Sequence, residues 1–380
     1  MRRAAAVLLL CLLGSGCSLL DALNPFSSSG PKMASLEPIQ ATVAARVLWQ
    51  YDVGKGDGQV FVPAVVRSSV YAAAANGTIV RLDDGQASWR IKAERPLSGG
   101  VAADERMLVV GSPKGEVLAF AAADGKLLWK TSTNSEIIAP PVLGPGLVIV
   151  RSGDHRLTAY DAFDGKRKWI YQRPNPPLSL RVTAPPVLVD KYVFVGFPGG
   201  KLIALGLDNG APLWEGTVAL PKGATELDRI ADVTSVPVID GRTVCAAAYQ
   251  GRVACFDLGS GNLMWTRDIS SAAGLALDNR YVYVTDDKGA LHALDRASGA
   301  SIWKQDKLFL RRLTAPLVLS GLLAVADVQG TVHFLNREDG SFAARVRSDG
   351  SPVLAAPQLF ATRDLILQTS AGSVLAIGVE

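Results

Sequence analysis

From residue 46 onward, apolar and polar positions alternate in short runs of five to seven residues, and turn dipeptides separate the runs. Examples are GEVLAF (115–120), GALHALD (289–295) and GTVHFLN (330–336). A period of two over so few residues, bounded by NG, KG, GG, QG and DG, predicts strands joined by tight hairpins. No stretch carries an amphipathic helical period of useful length.

The runs recur. Trp89, Trp129, Trp169, Trp214, Trp265 and Trp303 each lie four residues after a glycine, at 85, 125, 165, 210, 261 and 299. An alternating strand precedes each of these glycines. It occurs eight times, beginning at Gly77, Gly115, His155, Gly200, Gly251, Gly289, Gly330 and Gly372. His155 replaces the glycine once, and Ala344 replaces the tryptophan once. Upstream lie a strand opening such as TAPPVL (183–188) and a β-rich stretch such as YVFVG (192–196). Four strands about every 40 residues predict an all-β, eight-bladed β-propeller over 41–380. The last unit stops at Glu380 without a fourth strand, while RVLWQYD (46–52) is a fourth strand with nothing before it. The N-terminal strand should therefore complete the last blade and close the ring, hiding strand edges that would otherwise invite aggregation. The tryptophans should pack blade against blade.

Spacing between tryptophans is 40 and 40 up to Trp169, then 45, 51 and 38. The extra residues fall in two consecutive units, each between the fourth strand of one blade and the first of the next. Insertions at one point of a repeat emerge on one face, often the binding face. The first loop, RPNPPLSLRVTAPP (173–186), presents Leu178, Leu180 and Arg181 on a proline-stiffened chain, the composition of a protein-binding hot spot. Leucines folded inward beneath the loop are the other reading. The second, LPKGATELDRIADVTSVP (220–237), is acidic around Asp228 and Asp232, with Arg229 between.

Residues 1–16 read differently. Arg2 and Arg3 precede ten apolar residues (4–13), about 15 Å of helix, half of a ~30 Å hydrocarbon core. This predicts a secretory signal rather than a membrane span. LGSGC (13–17) resembles a bacterial lipobox, which implies acylation of Cys17; an ordinary signal cut near Gly16 is the other reading. Ser18 implies outer-membrane sorting in the pattern it resembles. Residues 17–40, with SSSGP at 27–31, read as a flexible tether. No later stretch is long and apolar enough to span, so the body should lie in the periplasm, held to the membrane through its lipid.

Apart from residues 1–16, 37 basic side chains face 35 acidic ones with no Lys/Arg-rich run, which argues against nucleic acid as a partner. Three histidines in different units, with His292 and His333 at the same repeat position, do not suggest a shared metal. There is no GxSxG, HExxH or P-loop. Asp83, Asp161, Asp257 and Asp295 should hold turn amides. Cys245 and Cys255 flank a turn at Gln250-Gly251. A two-residue loop would put them on opposite sheet faces and a three-residue loop directly opposite each other; free, buried thiols are the favoured expectation.

The unit GxVxALDxxxGxxxW is similar to the repeat of the quinoprotein (PQQ) dehydrogenases, which also form eight-bladed propellers. Together with the lipobox and the two loops, the chain resembles the BamB family, propeller lipoproteins of the outer-membrane β-barrel assembly (Bam) machine. That resemblance covers nearly the whole chain. It implies a non-enzymatic scaffold without cofactor that binds the periplasmic region of BamA, meets other Bam lipoproteins indirectly and assists insertion of unfolded barrel substrates. Family LSLR-type and DR-x-x-D-type loops imply that Leu178, Leu180, Arg181 and Asp232 meet BamA, with Asp228 and Arg229 matching the pattern and ordering their loop. Thr234 stands where the family often has a second aspartate. The alternative is a periplasmic quinoprotein-like enzyme or ligand-binding propeller. It would need a calcium held by carboxylate and amide oxygens, and usually adjacent cysteines, which are absent.

Overall fold

The computed structural model describes residues 31–380, so the signal segment and Cys17 lie outside the described residues. Thirty-two strands and no helix are found among them. They form eight four-stranded antiparallel sheets. Seven follow chain order: 64–92, 98–132, 142–171, 187–217, 238–267, 274–305 and 317–347, here blades 1 to 7. Blade 8 comprises strands Gln358–Ala361, Asp364–Gln368 and Ser373–Val379, and strand Ala45–Asp52 supplies its fourth. The N-terminal strand thus completes the last blade, as the two unmatched ends of the repeat require.

Eight apolar cores confirm the ring, each built from two adjacent blades. The one joining blade 8 to blade 1 brings Ile366, Val374 and Ala376 against Val70, Val80 and Leu82. Because a blade is covered on both faces, its second and third strands are buried along almost every residue, as in Leu147–Arg151 and Tyr281–Thr285. This accounts for continuous runs such as LVIV where a one-sided sheet would alternate.

Tryptophans lock neighbouring blades. Trp129 donates its indole N–H to Ala162 O of blade 3 at 2.9 Å, and Trp265 to Arg296 O of blade 6 at 2.8 Å. Their rings lie on the turn glycines of those blades. A Cβ on Gly165 (φ +71°) would stand 2.7 Å from Trp129, and one on Gly299 (φ +69°) 2.5 Å from Trp265. Glycine is needed there twice over, for the left-handed backbone and for the close approach. The missing tryptophan fits the same rule. Ala344 of blade 7 faces blade 8, whose third and fourth strands, Ser373–Val379 and Ala45–Asp52, are not joined by a hairpin, so no turn glycine lies there to receive an indole.

Three expectations need correction. Cys245 and Cys255 are not free: they are directly opposite in blade 5, 4.1 Å apart at Cα, and form a buried disulfide. The hairpin closes through Ala248 N to Arg252 O, leaving the three-residue turn 249–251 that aligns them. Asp161, Asp257 and Asp295 do accept turn amides, from Phe163, Ser260 and Ser298. Asp83 instead accepts the Ser69 hydroxyl and pairs with Arg81. Finally, the tether reading runs too far at its C-terminal end. From Ala34 on, the chain is strapped to blades 6 and 7 by Ala34 N to Phe309 O (3.0 Å), Arg311 to Ala34 O (2.9 Å) and Thr42 N to Ala343 O (2.9 Å). His292 and His333 bond Asp286 and Asp327 at 2.9 and 3.0 Å, equivalent pairs in blades 6 and 7.

Candidate docking surface

Connections from fourth to first strands and the hairpins between second and third strands all emerge on one face of a propeller, because strands alternate in direction. Loops 173–186 and 220–237 are both of the first kind and lie side by side there.

One carboxylate joins them. Asp232, fully buried, accepts the Leu180 amide at 2.7 Å with Oδ2 and the Gly199 amide, in the blade 4 hairpin, at 3.0 Å with Oδ1. Its side chain is therefore enclosed, and what it does is hold the first loop against the second. Arg151, also buried, donates to Ala184 O at 3.0 Å. Burial pushes its guanidinium down to about 10, and the charge of Asp232 opposes that shift.

Around this centre the first loop is tied residue by residue. His155 Nε2 lies 3.1 Å from Ser179 Oγ, and its Nδ1 faces Arg151 at 3.5 Å. Since Arg151 can only donate, Nδ1 accepts and Nε2–H donates to Ser179, which makes the imidazole neutral. Burial, and then the Arg151 charge, hold its pKa below the usual 6.5. Arg181 bonds Glu136, from the blade 2–3 connection, at 2.7 Å while two-thirds of its side chain stays in solvent. With Ser179, Leu180 and Arg181 all held, Leu178 projects with 44% of its surface exposed. Leu180 is half-buried and its backbone is the tied part.

The second loop is ordered from within. Asp228 accepts the Thr225 amide and hydroxyl at 3.1 and 2.7 Å, bonds that lower its pKa. Arg229 donates to Gly223 O at 3.1 Å and pairs with Glu226. Leu220 and Leu227 are exposed beside them. Below, Tyr249 N donates to Asp232 O at 2.9 Å, and the Gln250 carboxamide faces the carbonyls of Leu227 and Ile230 at 3.2 and 3.1 Å. Two carbonyls can be met only by a donor, so the amide nitrogen points there. Thr234 donates its hydroxyl to Ser271 O at 3.0 Å, an internal bond.

Seen together, the structure collects Leu178, Arg181, Leu220 and Leu227 as exposed groups on one platform and moves Asp232 beneath it. Arg151, His155, Ser179, Glu136 and Gln250 belong to its support and carry no motif. Their one trace in the sequence is the repeat glycine replaced at His155.

Known proteins match this chain over almost its full length. A family profile described as "Outer membrane protein assembly factor BamB" matches residues 75–305. The chain belongs to the BamB family. Proteins named outer membrane protein assembly factor BamB are 41% identical over 380 residues in Bordetella pertussis (99% of this chain, 96% of that one) and 42% identical over 330 in Burkholderia pseudomallei (86% of each). The BamB of Escherichia coli is 32% identical over 378 residues (96% and 95%). Among solved structures, BamB from Moraxella catarrhalis superposes with a TM-score of 0.82 at 26% identity, covering 88% of this chain and all of that one. A quinohemoprotein alcohol dehydrogenase from Comamonas testosteroni shares the fold at TM-score 0.72 and 14% identity, covering 88% of this chain and 76% of that one.

The dehydrogenase likeness raises the question of a quinone and its calcium. The channel on the ring axis, about 580 Å³, is lined by alanine, valine, leucine and proline from all eight blades. Its polar side chains are Thr183, Thr234, Thr314 and Gln358, and among the described residues no ionisable group lines it. Calcium takes six to eight oxygens, normally including carboxylates, and a carboxylated quinone needs cations to neutralise it. This BamB-family channel does not fit either group. Nor, among the described residues, do three or more His, Cys, Asp or Glu converge on a metal site.

Proposed function

We propose that the chain is a non-enzymatic scaffold of the Bam complex, anchored through an acylated Cys17 with its body in the periplasm. Its loop platform would bind the periplasmic region of BamA and so assist insertion of β-barrel proteins into the outer membrane. The observation that carries this reading is the bond from Asp232 to the Leu180 amide. It unites the two enlarged loops and leaves Leu178 and Arg181 facing outward on a backbone already ordered, which lowers the entropy lost on association. An exposed leucine beside an exposed arginine whose guanidinium is pre-aimed by Glu136 suits a protein surface with an apolar recess and an acidic neighbour. Family membership supplies the assembly role; the channel chemistry argues against the quinoprotein alternative.

The test is co-purification of BamA from detergent-solubilised outer membranes with the wild-type chain, Leu178→Ala and Arg181→Glu. Both variants alter exposed side chains and should fold. Loss of BamA from either supports the reading; undiminished recovery with both refutes it. Palmitate labelling that persists in Cys17→Ser would remove the anchor assignment independently.

A further inference from the structure

The eight hairpins between second and third strands share the docking face, and each needs a residue with left-handed backbone at its tip. In six blades that residue is glycine: Gly77, Gly115, Gly199 with Gly200, Gly289, Gly330 and Gly372. The two exceptions are His155 in blade 3 (φ +62°) and Gln250 in blade 5 (φ +48°). A side chain with positive φ is disfavoured. His155 stands at the third turn position, which is glycine in the other seven blades, whereas Gln250 is the middle residue of its turn and the repeat glycine, Gly251, follows it. Other non-glycine residues with positive φ, such as Arg67 and Asp190, lie in different turns.

Both exceptions spend their side chains on the same task. His155 reaches Ser179 of loop 173–186 at 3.1 Å. Gln250 reaches Leu227 O and Ile230 O of loop 220–237 at 3.2 and 3.1 Å. Blade 4, between them, keeps its glycines and contributes a backbone amide, that of Gly199, to Asp232. A non-glycine residue thus takes the left-handed backbone at the two hairpins that flank the enlarged loops and at no other of the eight tips.

We infer that His155 and Gln250 are positioning residues of the docking platform, each holding one loop in its binding conformation at the expense of an unfavourable turn. The inference rests on the docking role proposed above. Residues retained against local backbone preference concentrate where function requires them. Each acts through the loop that it holds.

The experiment compares the full-length chain with His155→Gly, His155→Ala and Gln250→Gly. It reads urea midpoint, hydrogen exchange of 173–186 and 220–237, and affinity for the immobilised periplasmic region of BamA. His155→Gly should keep or raise the midpoint, speed exchange around Ser179–Val182 about tenfold or more, and weaken binding about three- to tenfold. His155→Ala, which retains the strained backbone and lacks the bond, should show the same exchange with a lower midpoint than His155→Gly. Gln250→Gly should act on 227–232 and leave the first loop unchanged. Exchange that stays at the wild-type rate in both glycine variants would overturn the inference. So would a midpoint in His155→Gly that falls as far as in His155→Ala, since relief of the turn is then absent. If the wild-type chain itself fails to bind BamA, the docking reading fails, while exchange still decides whether the two residues brace their loops.

Discussion

Replacing Asp232 with alanine removes the group on which the platform is built. The carboxylate is fully buried and accepts two backbone amides, from Leu180 at 2.7 Å and Gly199 at 3.0 Å. Its loss leaves two partly buried N–H groups without their acceptor, and each such orphan costs about 1–3 kcal/mol. The buried Arg151 also loses the negative charge that opposes its desolvation. The three effects share one small volume and do not add in full, so the expected loss is about 3–5 kcal/mol, read from the urea midpoint. Asp232→Asn keeps one carbonyl acceptor and should lose about half as much. In Arg151→Met the charge is gone and Asp232 retains its amides, so the double variant Asp232→Ala/Arg151→Met should lose at least ~1 kcal/mol less than the sum of the singles. A loss below ~1 kcal/mol for Asp232→Ala, or strict additivity with Arg151→Met, would refute the account of Asp232 as the keystone of the two loops.

Alkylation should find no free thiol at Cys245 or Cys255 before reduction and label both after reduction of the unfolded chain, and the Cys245→Ala/Cys255→Ala chain should be about 2–3 kcal/mol less stable, the chain-entropy value for a loop of roughly ten residues. Gly165→Ala should destabilise by about 2–4 kcal/mol, combining left-handed strain with overlap on Trp129, as thermal unfolding would show. Ala344→Trp should bring no gain in unfolding midpoint, because blade 8 has no turn glycine opposite it. The pH response of the first loop follows from His155, which is faced by Arg151, Asp154, Asp232 and Ser179. Its folded pKa lies below the unfolded 6.5, so the released loop binds the extra proton. Anchoring is complete above about pH 6.5 and weakens as pH falls toward the folded pKa. Exchange of 173–186, corrected for intrinsic rate, should therefore rise between pH 7.5 and 5.5 in the wild-type chain and stay flat in His155→Gly.

Local chemistry carried most of the architecture. Strand period, turn glycines and the tryptophan register are properties of a few neighbouring residues, and a unit that cannot bury its faces alone must stack. Eight copies with complementary incomplete ends then leave a closed ring as the arrangement without open edges. The two long connections were likewise countable from spacing, and their common face follows from strand alternation. What stayed hidden depends on residues far apart in the chain. Asp232 looks like a surface acid in DRIAD, and only the meeting of loops separated by 52 positions shows it buried on the Leu180 amide. The disulfide turned on whether a hairpin loop has two or three residues, a difference that the QG signal does not resolve and that pairing of Ala248 with Arg252 decided. His155 and Gln250 gain their meaning the same way: each is a local misfit whose compensation lies in another blade's loop, and side-chain partners across a ring are set by packing rather than by any neighbour in sequence.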